Sequence, residues 1–167
     1  MTATEWWSHR TLRIWITLSL VLIIQTTAGV GRNRAEYNAK RIKGILHDLK
    51  KQLGIPEEIR TVVVPRNNLV VSVQPVHGKE GVFEMSFEEA FLNVLDEEDL
   101  RAVIAHELGH VWIFTHHPYL QTEELANHVA YKTVTASALN RVYEKVRTLP
   151  NLSQEASVHS EQFGDRP

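Results

Sequence analysis

Five consecutive residues, His106-Glu107-Leu108-Gly109-His110, combine two imidazoles and one carboxylate at a spacing that suits metal chemistry. Side chains at positions i and i+4 of a helix project from the same face, so both imidazoles can reach one ion. A carboxylate beside them can contact a water bound to that ion. The pattern therefore predicts a metal-assisted hydrolytic site, with His106 and His110 as ligands and Glu107 as general base.

The motif lies in a stretch whose residues predict a helix. Asp96 can cap the helix N-terminus, and the acidic residues after it complement the helix dipole. His117-Pro118 is expected to end this helix, which should run to about residue 114. Four apolar side chains share the face opposite the histidines and predict packing against the core, so that the histidines face a cleft: Leu100, Ile104, Leu108 and Val111.

A catalytic zinc site needs a third protein ligand, and the downstream sequence offers several candidates. His116 lies at the spacing of the third ligand in metzincins. However, Ile113 stands where those enzymes have glycine, and no methionine follows. Glu123 opens the next predicted helix, which Thr122 can cap, and Glu124 is the alternative carboxylate.

The start of this second helix carries a resemblance to known enzymes. Glu123-x-x-Ala126-Asn127 resembles the E-x-x-A-D or E-x-x-A-N phrase of gluzincin-type zinc metallopeptidases. The segment Leu95–His110 looks like the active-site helix of HtpX-type peptidases, from whose pattern Asn127 departs. The segment Glu123–Ala130 is more similar to ImmA/IrrE-like metallopeptidases. The resemblance spans about residues 95–130.

This resemblance implies a minimal zinc metallopeptidase that acts on a peptide or protein substrate. The implied Zn2+ ligands are His106, His110 and Glu123, and Asn127 would hydrogen bond to a ligand imidazole. Glu107 would take a proton from the zinc-bound water and pass it to the leaving amine. Three further side chains are candidate donors to the developing oxyanion, and the sequence does not rank them: Tyr119, His128 and Tyr131.

A second function class is compatible with the same residues. The chain could be a catalytically silent, exported zinc-binding or partner-binding module. Glu107 between the two histidines favours the enzyme, because a purely structural metal site does not need that carboxylate. Two imidazoles and one carboxylate suit zinc better than other divalent ions.

The elements around the motif predict a small zincin-like α+β domain. Residues 33–53 have helical apolar periodicity, and Thr61–Val64, Leu69–Val73 and Gly81–Ser86 are predicted strands. We therefore expect an N-terminal helix, a mixed or antiparallel sheet of about three strands, the motif helix and a ligand-bearing helix over residues 123–146. The strand Gly81–Ser86 is predicted to be a sheet edge that could pair with an extended peptide.

The two ends of the chain differ in composition from this domain. Residues 1–30 combine a basic start, the apolar run Ile14–Ile24 and small residues, which is typical of a secretory signal peptide. The alternative is an uncleaved membrane anchor through residues 14–30. Residues 31–149 would form the metallopeptidase domain outside the cytoplasm, periplasmic or secreted. Residues 150–167 are polar and are predicted to be a disordered tail.

Net charge and cysteine content exclude several classes of function. The net charge of −2 does not indicate nucleic-acid binding, and no nucleic-acid partner is expected. The chain contains no cysteine, which excludes a disulfide scaffold, a thiolate zinc site and a cysteine nucleophile. Metal chemistry through histidine and carboxylate remains the hypothesis that the sequence supports best.

Overall fold

The computed structural model describes residues 33–149 of the chain. The contacts between residues group the chain into two units, with the boundary after Lys40. The described residues of the N-terminal unit are helical. The elements are α1 (residues 33–53), β1 (Glu58–Val64), β2 (Val71–Pro75), β3 (Val82–Glu88), α2 (Glu89–Leu92), α3 (Glu97–His116), a 3-10 turn (Pro118–Leu120), α4 (Glu123–Ala130) and α5 (Ala136–Arg147). The predicted α+β class, with three strands and a motif helix, is confirmed.

The predicted leader 1–30 and tail 150–167 lie outside the described residues. Within residues 33–149, none of the helices has both the length and the apolar character that crossing a membrane requires.

The three strands form one mixed sheet in the order β1-β3-β2. β3 pairs in parallel with β1 and antiparallel with β2. The side chains of Phe83, Met85 and Phe87 alternate along β3 and are almost fully buried, as expected for a central strand. The prediction that this strand is a sheet edge is therefore wrong, because its apolar face and both of its backbone edges are covered.

The edge strand beside the motif helix is β2. Two hydrogen bonds at the ends of its pairing with β3, Glu88 N–H to Val70 O and Val76 N–H to Val82 O, are both 2.8 Å long. Hydrogen-bonded pairs alternate in an antiparallel ladder, so Val71, Val73 and Pro75 direct their backbone groups away from β3. β2 also packs against α3. Its free backbone edge is therefore the one adjacent to the motif.

α3 begins where the sequence predicts, since the Asp96 carboxylate accepts a hydrogen bond from the Asp99 amide at 2.8 Å. The four apolar residues opposite the histidines are completely buried, as expected: Leu100, Ile104, Leu108 and Val111. Side chains of α1, β3, α2 and α5 complete the same core. α3 is thus a central helix that is buried along one face and carries the motif histidines on the opposite face.

The single helix predicted over residues 123–146 is wrong, because the chain leaves the helix after Ala130 and starts α5 at Ala136. Thr133, Val134 and Thr135 are β-branched and have low helix propensity. The Thr135 hydroxyl accepts a hydrogen bond from the Ala138 amide at 3.1 Å, which caps a new helix. This break lets α4 and α5 each pack on α3.

Asp99 fastens α5 to the first turn of α3. Its carboxylate is fully buried and pairs with Arg141 at 3.2 Å and with Lys145. We expect Asp99→Ala to lower the free energy of unfolding by about 2–3 kcal/mol, because charge-assisted hydrogen bonds are lost inside the protein. Urea denaturation measures this change. Glu98→Ala is the control, because that exposed carboxylate also pairs with Arg141, at 2.8 Å, yet should contribute less than about 1 kcal/mol.

Candidate metal centre and active site

Three side chains from α3 and α4 converge on one point. The Nε2 atoms of His106 and His110 are 3.2 Å apart. The Glu123 carboxylate places one oxygen 3.1 Å from His106 Nε2 and the other 3.4 Å from His110 Nε2. Within residues 33–149, these three residues form the group whose ligand atoms all lie within 4.8 Å of one another. The arrangement joins the motif to the first residue of the next helix.

The hydrogen bonds behind the histidines fix which nitrogen carries the proton. His106 Nδ1 lies 2.7 Å from the side-chain oxygen of Asn127, and His110 Nδ1 lies 3.2 Å from the side-chain oxygen of Gln121. An amide oxygen can only accept a hydrogen bond, so both Nδ1 atoms donate. Each Nε2 then directs a lone pair toward the common point, where the Glu123 carboxylate adds more negative charge. Such a cluster of acceptors is stabilised by a cation.

The protonation of His106 agrees with this role. Burial, and then the neighbouring His110, lower the pKa of His106 below its ordinary value. The imidazole is therefore neutral near pH 7, as a metal ligand must be. Asn127 is itself held in place, because its side-chain oxygen also accepts a hydrogen bond from the Tyr143 hydroxyl at 2.9 Å.

Glu107 lies beside the three converging groups but is held in a different environment. Its side chain is buried, and burial followed by the charge of Glu123 raises its pKa to about 8. The backbone amide of Val73 partly opposes this rise by hydrogen bonding to the carboxylate. A carboxyl group with a pKa near neutrality is suited to accept and release protons.

A cavity of about 520 Å³ joins these groups to the free edge of β2. His106, Glu107, His110 and Glu123 lie on its wall together with Tyr143 from α5. Most of the remaining wall is made of apolar side chains from β2, α3 and α5. A cleft with a few convergent polar groups in an apolar wall is the usual form of a substrate site.

The other predicted ligands lie elsewhere. His116 is exposed at the end of α3, stacks on the Trp112 ring at 4.4 Å and contacts the Trp112 carbonyl oxygen through Nδ1. Glu124 is exposed and, among the residues that the structure describes, does not belong to the converging group. Of the third-ligand candidates, the structure brings only Glu123 to the two histidines within the described range.

The three predicted oxyanion donors do not belong to the part of the cavity wall that the structure describes. Tyr119 is almost fully exposed, and Tyr131 and His128 are also exposed. The wall instead includes the Tyr143 phenol. Tyr143 and Gln121 are not predicted from the sequence, because both lie outside the motif helix and the E-x-x-A-N segment. A threonine cap at Thr135, which starts α5, is the sequence signal that could have located Tyr143 on a separate helix.

Gly109 allows α4 to lie close against the motif. A Cβ atom at this position would lie 2.5 Å from the carbonyl oxygen of Ala126 and 3.0 Å from its Cα atom. Both contacts are with backbone, which cannot turn aside as a flexible side chain can. The glycine inside the H-E-x-x-H motif therefore sets the distance between the helix that bears the histidines and the helix that bears Glu123.

We expect Gly109→Ala to push α4 away from α3. The free energy of unfolding should fall by about 1–3 kcal/mol, as overpacking typically causes. Zinc affinity should fall as well, because Glu123 and Asn127 move with α4. Urea denaturation and zinc titration measure the two effects. Gly44→Ala is the control, because nothing lies within 4 Å of its added Cβ on α1 and the change should stabilise the helix by up to about 1 kcal/mol.

Comparisons with known proteins show the family of this chain. The family model described as peptidase family M48 matches residues 36–149, which include the motif and all three converging side chains. No curated protein matches the sequence. Among solved structures, the chain is similar to the crystal structure of the metallopeptidase zymogen of Pyrococcus abyssi abylysin, with 20% identity over 64% of this chain and 92% of that chain and a TM-score of 0.47. Because the family model covers more than half of the sequence, the chain belongs to peptidase family M48, a family of metallopeptidases.

Proposed function

We propose that this M48 member is a gluzincin-type zinc peptidase in which His106, His110 and Glu123 hold the metal. The convergence of their ligand atoms carries the proposal. Ligands placed tetrahedrally at about 2.0–2.1 Å from zinc lie about 3.3 Å from one another. The separations here are 3.1, 3.2 and 3.4 Å. The donor set of two imidazoles and one carboxylate also fits zinc.

In the proposed reaction the zinc, when bound, supplies a Lewis acid that lowers the pKa of water and polarises a carbonyl oxygen. Glu107 accepts a proton from the attacking water and delivers it to the leaving amine. Its buried position supports this role, because the carboxylate is shielded from bulk solvent and lines the same cavity as both histidines. Gln121 and Asn127 hold the imidazoles so that their Nε2 atoms stay directed at the metal.

The free edge of β2 is the element best placed to orient a peptide. Val71 and Val73 direct their carbonyl oxygens away from β3, and these oxygens are the groups that a peptide can pair with, because the two amides already donate to the Leu69 carbonyl and to the Glu107 carboxylate. An extended substrate that pairs with this edge would run along the cavity past the catalytic groups. This assigns to β2 the peptide-pairing role that the sequence suggested for the following strand.

Tyr143 is proposed to donate its single hydroxyl proton to the developing oxyanion during catalysis, in exchange for the hydrogen bond that it otherwise donates to Asn127. Burial raises the pKa of its hydroxyl, which keeps the proton available for donation. We expect Tyr143→Phe to lower kcat by about 100-fold, as loss of an oxyanion donor does, with nearly full zinc occupancy. Steady-state kinetics and metal analysis measure both quantities. Tyr131→Phe and Tyr119→Phe are matched controls that should keep kcat within about twofold, and equal losses in all three variants would contradict this assignment.

The direct test of the proposed function is metal content together with peptide cleavage by the full chain. We expect about one zinc per chain by mass spectrometry, hydrolysis of peptides in an unstructured protein substrate, loss of hydrolysis with a chelator and recovery with added zinc. A stoichiometric zinc without any cleavage would instead support the silent metal-binding module. Absence of zinc from the purified chain after reconstitution would overturn the proposal.

The resemblance to HtpX-type and ImmA/IrrE-like peptidases stays a prediction.

We also propose that the domain works outside the cytoplasm. The support is the sequence of residues 1–30, with its basic start, the apolar run Ile14–Ile24 and small residues. Cell fractionation and N-terminal sequencing of the mature protein test this. A mature chain that starts near residue 29 indicates a cleaved signal, whereas an intact chain in the membrane fraction indicates an anchor. An intact chain in the cytoplasm contradicts export.

A further inference from the structure

We propose that the outer side of α1 is a docking surface for a bilayer that contains anionic phospholipids. This inference concerns where the domain is held, and it does not depend on the proposed reaction. The surface is named the basic face and consists of Lys43, His47, Lys50 and Lys51. At about 100° per residue, these four positions lie within an arc of about 100° around the helix axis. Lys40 continues the same spacing one turn earlier.

The basic face is open to solvent. Lys43, His47 and Lys51 are exposed, and a Cβ atom added at Gly44 between them would meet nothing within 4 Å. Lys50 is half-buried and donates to the backbone carbonyl oxygen of residue 57, which is a neutral acceptor. A layer of lipid headgroups can therefore reach the exposed side chains directly.

The opposite side of α1 is buried in the fold. Ile42, Ile45, Leu46 and Leu49 have at most 8% of their surface exposed and belong to the hydrophobic core. These side chains are therefore not available to insert among lipid tails, as those of an interfacial amphipathic helix are. Contact between α1 and the bilayer is electrostatic, so it weakens when salt is added.

Positive charge is concentrated on this helix. Residues 33–53 contain six lysines and arginines and two carboxylates, which is a net charge of +4. Residues 54–149 contain eight lysines and arginines and fourteen carboxylates, which is a net charge of −6. Asp48, the carboxylate that follows His47, pairs with Arg101 at 2.7 Å, so its charge is balanced within the domain. An anionic surface attracts α1 and repels the remaining charge, and this difference orients the basic face toward it.

The sequence before α1 favours a membrane over other polyanions as the occupant. The apolar run Ile14–Ile24 is a part of the sequence that could enter a bilayer. Asn33 lies nine residues after Ile24, and a fully extended chain of that length spans at most about 32 Å. A run that enters the bilayer therefore keeps α1 close to its surface, where anionic headgroups attract lysine side chains. Nucleic acid offers the same sign of charge but nothing that the apolar run would bind.

The lack of cysteine in the chain allows the distance between α1 and a bilayer to be measured. Gly44→Cys places a single fluorophore in the basic face, and energy transfer to a headgroup-labelled lipid reports its distance from the surface. The full chain is reconstituted into vesicles of phosphatidylcholine alone, or of equal parts phosphatidylcholine and phosphatidylglycerol. We expect higher transfer with the anionic vesicles, and about 1 M salt should abolish the difference because it screens charges beyond about 3 Å. Equal transfer in the two kinds of vesicle would overturn the inference.

Two matched double variants distinguish the basic face from net charge in the same assay. Lys43→Gln with Lys51→Gln removes two exposed charges of the basic face, whereas Arg66→Gln with Lys79→Gln removes two exposed charges from loops of the sheet. Glutamine has nearly the same helix propensity as lysine, so α1 should stay folded. Energy transfer in anionic vesicles should fall to the phosphatidylcholine level in the first variant and be retained in the second. Equal losses in both would contradict a specific docking face.

Sedimentation with anionic vesicles measures the affinity of the basic face itself. The full chain carries Leu20→Gln and Leu22→Gln, which make the apolar run less favourable in lipid. Each lysine near an anionic surface should strengthen binding roughly fivefold, so the paired change at Lys43 and Lys51 should weaken it about 25-fold. Peptide hydrolysis in solution should be unchanged, because neither lysine lies on the described cavity wall. Unaltered vesicle affinity in this variant, or equally tight binding of duplex DNA by the unmodified face, would overturn the lipid assignment.

Discussion

Replacing Glu123 by alanine is expected to abolish stoichiometric zinc binding and, with it, peptide hydrolysis. The side chain contributes a carboxylate oxygen 3.1 Å from His106 Nε2 and another 3.4 Å from His110 Nε2. Without it, two imidazoles remain, which is fewer protein ligands than a catalytic zinc site uses. Removing a residue that only orients a ligand already weakens metal affinity about 10–100-fold, so loss of a direct ligand should exceed that. Zinc titration against a chromophoric chelator measures the change.

Two variants serve as controls for the Glu123 substitution. Glu124→Ala removes the adjacent carboxylate of the same helix turn, and His116→Ala removes the histidine at metzincin spacing. Both side chains are exposed and lie apart from the converging group, so zinc affinity should stay within about threefold of the unmodified chain. If His116→Ala lost the metal while Glu123→Ala kept it, the site would be a three-histidine site and the gluzincin assignment would be wrong.

Glu123→Gln distinguishes charge from shape at the same position. Glutamine keeps the size and one oxygen of the side chain, but it removes the negative charge that faces the two imidazoles. We expect zinc affinity between that of the unmodified chain and that of Glu123→Ala. The helix cap is preserved in all three proteins, because the Thr122 hydroxyl, which accepts the Leu125 amide at 3.2 Å, is unchanged. Circular dichroism should therefore show the same helical content.

The parts of the structure that the sequence predicted are those that follow from local rules. The helix of the motif, its Asp96 cap and its buried face are properties of one continuous segment, so periodicity and capping chemistry suffice to find them. The prediction that Glu123 lies beside His106 and His110 needs more than local rules. It rests on the resemblance to known enzymes, because the spacing of residues 106–123 alone does not determine how the chain turns after α3.

The parts that the sequence did not predict depend on packing between segments. The strand order is one example. The sequence of β3 alternates like that of any strand, and its central position results only from the parallel pairing with β1. The contribution of Gly109 is another, because its effect appears only against the Ala126 backbone of α4. Tyr143 is a third, since a tyrosine on an amphipathic helix reaches Asn127 only after the break at Thr133–Thr135 redirects α5.

The Glu107→Gln variant is expected to lose activity and gain stability in the same protein. Without a general base, kcat should fall by about 100- to 10,000-fold. In the metal-free chain, however, the charged carboxylate destabilises the folded state, because burial and the charge of Glu123 raise its pKa to about 8. Glutamine has nearly the same shape without the ionisable group. We therefore expect the metal-free variant to unfold at a higher denaturant concentration than the unmodified chain at alkaline pH.

The pH dependence of this difference has a definite sign. The unfolded chain releases the Glu107 proton near its ordinary value of 4.5, whereas the folded chain holds it to about 8. Between these values the folded state binds more protons, so its stability falls as pH rises. The advantage of Glu107→Gln should be absent below pH about 4.5, grow through neutrality and level off above pH about 8, with an upper limit of about 5 kcal/mol.

Urea denaturation of both proteins at pH about 5, 7 and 9, with chelator and with zinc, measures the effect. Zinc should reduce the stability difference, because a bound cation beside Glu107 favours its charged form. A stability difference that did not change with pH would show that the Glu107 carboxylate is not protonated in the folded metal-free chain. A variant that kept its catalytic rate would mean that another group takes the proton. The two results are independent, since one concerns the metal-free fold and the other concerns the reaction that this buried carboxylate performs.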